Sequence, residues 1–185
     1  MVETYLHSLY HQTQINLAKT NFSQTQGEIL YPSITKLLSH LQLTTEDSFV
    51  DLGSGCGKIV SQVFLTSLVK TAGGIEIIPE LHQIALKIAD KIKLDFPDSF
   101  ARDRQLNFFL GNFLEIPFTT ATVVLINAVC FSPGLLQTIG EVFNNTPSIH
   151  TVLSLRPIHS LTRLVFQKTI HIQCSWDSAL CYIYQ

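Results

Sequence analysis

Three features of this 185-residue chain predict an α/β fold, doubly wound around a mostly parallel seven-stranded sheet. The first is Phe49-Val50-Asp51-Leu52-Gly53-Ser54-Gly55-Cys56-Gly57-Lys58, an apolar run ending in an acid, then three alternating glycines and a helix-compatible segment, 59–69. The second is a regular exchange of strand-length apolar runs for helically periodic segments as far as residue 155. The third is a closing pair of β-rich runs, 169–174 and 180–184, around Ser175-Trp176-Asp177, which reads as an antiparallel hairpin. Together they describe a Rossmann-like sheet with a C-terminal hairpin.

The elements follow in order. Residues 1–25 carry Leu6, Leu9, Tyr10, Ile15 and Leu17 amid polar residues, a loose helical pattern expected to form one or two short helices over the ligand site. Gln26-Gly27-Glu28 reads as a turn. Leu30, Ile34, Leu37, Leu38 and Leu41 recur at helical steps, which predicts a helix over 29–43 with Pro32 in its first turn. After the first strand and helix, Ala72-Gly73-Gly74-Ile75 is a second strand ending at Glu76. A helix is predicted over 79–94, where Leu81, Ile84, Ala85, Ile88 and Ile92 share one side, and Pro97-Asp98 ends it. A third strand over 105–110 leads into Gly111-Asn112-Phe113. The run 121–126 is almost unbroken apolar, as a strand buried on both faces should be, and it stops at Asn127. A helix over 133–143 and a strand over 151–155 precede the hairpin. Without a linker or repeat, the chain divides only into a helical lead or lid, 1–25, and one domain, 26–185.

The glycine turn is where such a sheet holds its ligand. A P-loop needs glycine where Leu52 stands and Ser or Thr where Ile59 stands, so Lys58 is no phosphate lysine of that kind. A dinucleotide site has a different glycine spacing, and Asp51 would turn a negative charge toward the pyrophosphate. A carboxylate there suits a cation. S-adenosylmethionine carries an ammonium and a sulfonium and no phosphate. Glu76, roughly twenty residues past the glycines, stands where an acid bonds ribose hydroxyls. The pattern of acid, Gly53, Gly55 and Gly57, then acid predicts an S-adenosylmethionine-dependent methyltransferase of class I. Asp51 and Gly53 are assigned to the methionine end and Glu76 to the ribose. Asn112 is assigned to the adenine edge, with Ile77 and Phe113 against its faces. Asn127 interrupts a buried apolar run, so its amide needs a partner, which a substrate amine or the cofactor would supply.

Composition excludes other classes. The net charge of −2 gives no electrostatic case for nucleic acid or an acidic membrane. With 46% hydrophobic residues there is material for a real core. No run is long enough to span a bilayer, and the first residues do not form a signal peptide. Cys56, Cys130, Cys174 and Cys181 form no C-x-x-C pair, and the histidines are dispersed, so no metal site is expected. Reduced cysteines fit a cytoplasmic, intracellular setting.

The chain resembles the non-SET histone lysine methyltransferases named for disruption of telomeric silencing, from Gln26 to Tyr184. Phe49 to Gly55 is the family's first motif almost unchanged. Gln26-Gly27-Glu28 is similar to its Tyr-Gly-Glu loop, and Gly111-Asn112-Phe113-Leu114 to its Gly-Asp-Phe-Leu. Residues 127–131 with Pro133 resemble Asn-Asn-Phe-Ala-Phe-Gly-Pro, and Ser175-Trp176 with Tyr182 resembles the Ser-Trp and Tyr beside the lysine channel. The resemblance implies Glu28 at the cofactor and a protein lysine as acceptor, in a channel lined by Phe131, Trp176 and Tyr182 with Asn127 orienting the amine. Four positions depart from the family. Gln26 replaces a tyrosine, Ile29 a threonine, Lys58 a cofactor-binding glutamine and Asn112 an adenine-binding aspartate, and the basic nucleosome-binding tail is missing. A small-molecule or RNA methyltransferase on the same sheet, or a non-catalytic cofactor-binding scaffold, fits the same motifs.

Overall fold

A computed structural model describes residues 2–18 and 28–185. Seven strands form one sheet in the order β3-β2-β1-β4-β5-β7-β6. They are β1 (Ser48–Leu52), β2 (Thr71–Glu76), β3 (Gln105–Leu110), β4 (Val123–Ile126), β5 (Thr151–Ser154), β6 (Phe166–Gln173) and β7 (Ser178–Tyr184). The first five pair in parallel, and β7 slots antiparallel between β5 and β6. Reversal of strand order at β1 and β4 places a crevice at their carboxyl ends, immediately beyond Asp51 and Ile126.

Side chains alternate across the sheet, so the central strands feed two cores. Phe49, Leu125 and Leu153 face one way, against helices α1 (Val2–Ala18), α2 (Tyr31–Leu38), α3 (Lys58–Thr66) and α4 (Pro79–Asp95). Leu52, Val124, Ile126 and Val152 face the other, where helix α5 (Pro133–Asn144) brings Leu136, Ile139 and Phe143. Burial on both faces explains why β4 reads as an uninterrupted apolar run.

Several boundaries differ from the sequence-based expectation. The described part of the lead, residues 2–18, is a single helix, α1, of 17 residues. It packs against α3 and α4, with Leu6 and Tyr10 buried in the larger core. Tyr10 donates from its hydroxyl to the Cys56 carbonyl at 3.2 Å, so this helix supports the glycine turn from behind. The expected turn at Gln26-Gly27, and the division between lead and domain, lie outside the described residues. Helix α2 ends at Leu38, short of Leu43, because His40 and Leu41 donate to carbonyls three residues back and tighten the chain toward β1. The fourth strand starts at Val123, not Ala121, since Ala121 N–H closes a turn onto Phe118. The hairpin is longer than expected, with Gln173 opposite Ser178. A 3-10 segment at Pro97–Asp103 follows α4, and Arg104 fastens it by donating to the carbonyls of Val69, Ser99, Phe64 and Ser67.

At the opposite end of the sheet from the crevice, Asp47 ties three loops together. Its carboxylate accepts from Thr44 N–H (2.7 Å), Thr122 Oγ1 (2.7 Å) and His150 Nε2 (2.9 Å). Burial alone would push its carboxyl up, but the hydrogen bonds outweigh it and hold the group down at about 2. Because the folded value lies below the unfolded one, this stabilisation is present above pH about 4 and is lost as pH falls toward 2. Asp47→Ala should cost about 1–3 kcal/mol in urea melts at pH 7. The difference from the parent protein should shrink as the melts are moved from pH 4 toward pH 2.5.

Candidate active site

The crevice is built on the glycine turn. Gly53, Gly55 and Gly57 have φ of +83°, +56° and +82°, a region that side chains rarely adopt. They do different jobs. A Cβ on Gly53 would point into open space, so this residue is glycine for its backbone conformation and leaves the crevice wall bare. A Cβ on Gly57 would collide with the Phe108 ring, so this one lets α3 settle on β3. Gly74 in β2 has the same function, since a Cβ there would strike Ser54 in the turn above it.

Glu76 fixes the turn. Its Oε2 accepts from Gly55 N–H at 2.7 Å and its Oε1 from Ile78 N–H at 2.8 Å, which ties the turn to the end of β2. Each oxygen keeps a second lone pair for a hydroxyl. Asp51 is buried beside it, 2% exposed, at the end of β1. Burial, and then the Glu76 carboxylate, push the Asp51 carboxyl up to about 8. Among the described residues no buried cation stands between these two acids, and together they form a receptor for positive charge.

Glu28, Asp51, Gly53, Gly55 and Asn127 line one cavity of about 50 Å³, together with Lys58. Lys58 Nζ forms an ion pair with Glu28 Oε2 at 2.9 Å and stands 4.5 Å from the centre of the Tyr31 ring. The cleft therefore carries a cation and an anion on one rim and an acid at its floor. That set matches a molecule with an ammonium, a carboxylate and a sulfonium. Cys56 is held as a thiol, pushed up to about 12 by burial and then by Glu28.

The remaining predicted residues spread along the carboxyl ends of the strands. Ile77 is largely exposed just past β2. Asn112 closes its own loop, accepting from Leu114 N–H (3.0 Å) and donating to Glu115 (3.2 Å). Phe113 stacks on Phe131 with ring centroids 5.9 Å apart, which joins the loop after β3 to the loop after β4. Tyr182 packs against Phe166, and Trp176 sits, 42% exposed, on the β6–β7 turn. The structure thus groups Asn127 with the cleft and Phe131 with Phe113, and puts Trp176 and Tyr182 on the hairpin. Two residues were not singled out from the sequence. Arg156 donates to the Phe131 carbonyl at 2.5 Å and braces that loop. Ser54 leaves a buried hydroxyl in the turn without a partner among the described residues. Arg156 stands in no motif, a lone cation after β5 being its only signal, whereas Ser54 lies inside the glycine motif with no role assigned to it.

Among the described residues there is no metal-binding cluster, and no helix is long and apolar enough to cross a membrane.

Comparison with known proteins agrees with this geometry. A family profile described as "Histone methylation protein DOT1" matches residues 5–174. The H3 lysine-79-specific histone-lysine N-methyltransferase of Drosophila melanogaster is 30% identical over 125 residues, covering 65% of this chain and 7% of that protein. Its counterpart from Caenorhabditis elegans is 26% identical over 184 residues, covering 87% of this chain and 19% of that protein. The chain therefore spans less than a fifth of either relative. Among solved structures, an RNA methyltransferase from Salinibacter ruber in complex with S-adenosyl-L-homocysteine superposes with a TM-score of 0.58 at 21% identity, covering 83% of this chain and 90% of that one. TrmK of M. capricolum, also with S-adenosyl-homocysteine, gives 0.58 at 16% identity over 82% and 66%. At these identities the two structures share the fold. The profile match spans nearly the whole described chain, and this protein belongs to the DOT1 histone methylation family, on a class I methyltransferase sheet.

Proposed function

We propose that the protein is an S-adenosylmethionine-dependent methyltransferase whose acceptor is a protein lysine. The observation that carries this reading is the cleft at the glycine turn, where buried Asp51 lies below an ion pair of Glu28 and Lys58. A zwitterion with a second positive centre complements this set, and its cationic group would favour the ionised form of Asp51. S-adenosylmethionine, when bound, supplies a methyl group on a sulfonium. Asp51 and Glu28 would face its cationic groups and Lys58 its carboxylate, while Gly53 and Gly55 let the backbone approach. Glu76 would meet the ribose, and Ile77, Asn112 and Phe113 the adenine.

The protein's contribution is alignment and desolvation, and good alignment supplies about 7–11 kcal/mol. A lysine must enter neutral, which costs on the order of 4–5 kcal/mol at pH 7 from its reference value. Apolar walls favour the neutral amine. Phe131, Trp176 and Tyr182 would line its approach, and Asn127 would orient its nitrogen. The named substrate of the fly and worm relatives, lysine 79 of histone H3, supports a protein acceptor. The Salinibacter neighbour, an RNA methyltransferase, carries the alternative of an RNA acceptor on the same sheet.

Two experiments test this reading. Isothermal titration with S-adenosylmethionine, followed by radiolabel transfer to histone and ribosomal protein mixtures and to RNA, separates the acceptor classes. Asn127→Ala should lower the transfer rate about a hundredfold, the scale of a small misplacement of the reacting atoms. Full-rate transfer by that variant would remove Asn127 from the mechanism. Asp51 gives a second test. The folded carboxyl titrates near 8 and the unfolded one near 3.9, so its burial lowers stability progressively as pH rises from about 4 to about 8. Asp51→Asn should therefore melt with the parent protein at pH 4 and above it at pH 8.5. Cofactor affinity should fall in the same variant, because an amide offers no charge to the cation.

A further inference from the structure

The main chain of Glu28 is held from the other end of the sequence. Residues 28–30 run as a short extended strap beside the end of β6, with Ile29 bridged antiparallel to Cys174 and Leu30 N–H donating to the Gln173 carbonyl at 3.0 Å. Beyond the bridge the chain turns, with Cys174 N–H taken by the Asp177 carbonyl, and the bridge itself is closed by Ser175. Its N–H donates to the Glu28 carbonyl at 2.8 Å, and its Oγ accepts from Glu28 N–H at 3.0 Å. A reciprocal pair of this kind fixes the residue's position and direction along the strap. The Glu28 side chain then reaches Lys58 at 2.9 Å across the cavity rim.

We propose that Ser175 is a positioning residue for the cofactor cleft, acting through Glu28, and that it couples the cleft to the Trp176 turn. The inference rests on the cofactor reading given above. It follows from three facts. Glu28 has three side-chain torsions and would lose its aim at the rim if its backbone were released. Ser175 is the side chain that holds that backbone among the described residues. The next residue is the chain's one tryptophan, placed on the same turn. A ligand that separates Glu28 from Lys58 pulls on a strap bonded to Ser175, and Trp176 reports the displacement. The acceptor side of the site is informed that the cofactor side is filled.

The test uses S-adenosylhomocysteine as probe, with calorimetry and Trp176 emission read on the full chain. Ser175 is exposed, so Ser175→Ala and Ser175→Thr should keep the fold, checked by circular dichroism. Ser175→Ala should weaken binding about fivefold, the equivalent of one net hydrogen bond near 1 kcal/mol, and should flatten the emission change. Ser175→Thr keeps the oxygen and should bind within about twofold of the parent. In a Glu28→Gln background the Ser175→Ala change should add nothing. Unchanged binding and emission in Ser175→Ala would overturn the proposal, as would an undiminished fivefold loss on top of Glu28→Gln. Those results leave the methyltransferase reading standing. Absence of any binding by the folded parent protein overturns both.

Discussion

The Glu76 carboxylate holds the site together. One side chain at the end of β2 accepts the Gly55 N–H above it and the Ile78 N–H beyond it. The glycine turn is thereby pinned against a strand that is itself only glycine-deep at Gly74, and Ser54 occupies the space a side chain there would fill. Burial first, and then the same carboxylate, keep Asp51 from ionising freely. Positioning and electrostatics come from one residue, which makes the turn rigid and the floor of the cleft short of positive charge. Such sites are carried at a cost in stability that the rest of the fold absorbs.

Much of this was legible because the relevant constraints are local. An apolar strand ending in an acid, followed by alternate glycines, admits few backbones, and the alternation of Phe49 and Val50, or of Val124 and Leu125, between the two faces of the sheet follows from strand geometry alone. In the structure β1 and β2 pair in parallel with Asp51 opposite Gly74, which sets the two carboxylates at neighbouring strand ends. Turns without a composition signal, and one long-range cation, decided what was missed. The early end of α2 and the late start of β4 come from turns whose partners the sequence does not mark. The 3-10 segment after α4 is held by Arg104 reaching carbonyls up to 40 residues away. A guanidinium in a list of charged residues gives no sign of such a task.

The acceptor side shows the same division. Phe113 and Phe131 were assigned separately, one to adenine and one to a lysine channel, yet their rings stack and Arg156 grips the loop that carries one of them. One aromatic contact thus joins the two expected subsites in three dimensions. Lys58, where the family has a glutamine, likewise acquires meaning only with its partner. Alone it is an extra charge at the start of a helix, an unfavourable end for a cation. Paired with Glu28 and laid over the Tyr31 ring, it is a neutralised rim.

The placement of β7 has a consequence for how the molecule assembles. β6 precedes β7 in the chain, yet in the sheet it docks only on β7, which lies between it and β5. During synthesis β6 is made before the surface it needs, and it waits as an unpaired edge. The strap at residues 28–30, bonded to the end of β6, waits with it. A nascent chain can thus complete the parallel half of the sheet, with its glycine turn, while the rim of the cleft is still open.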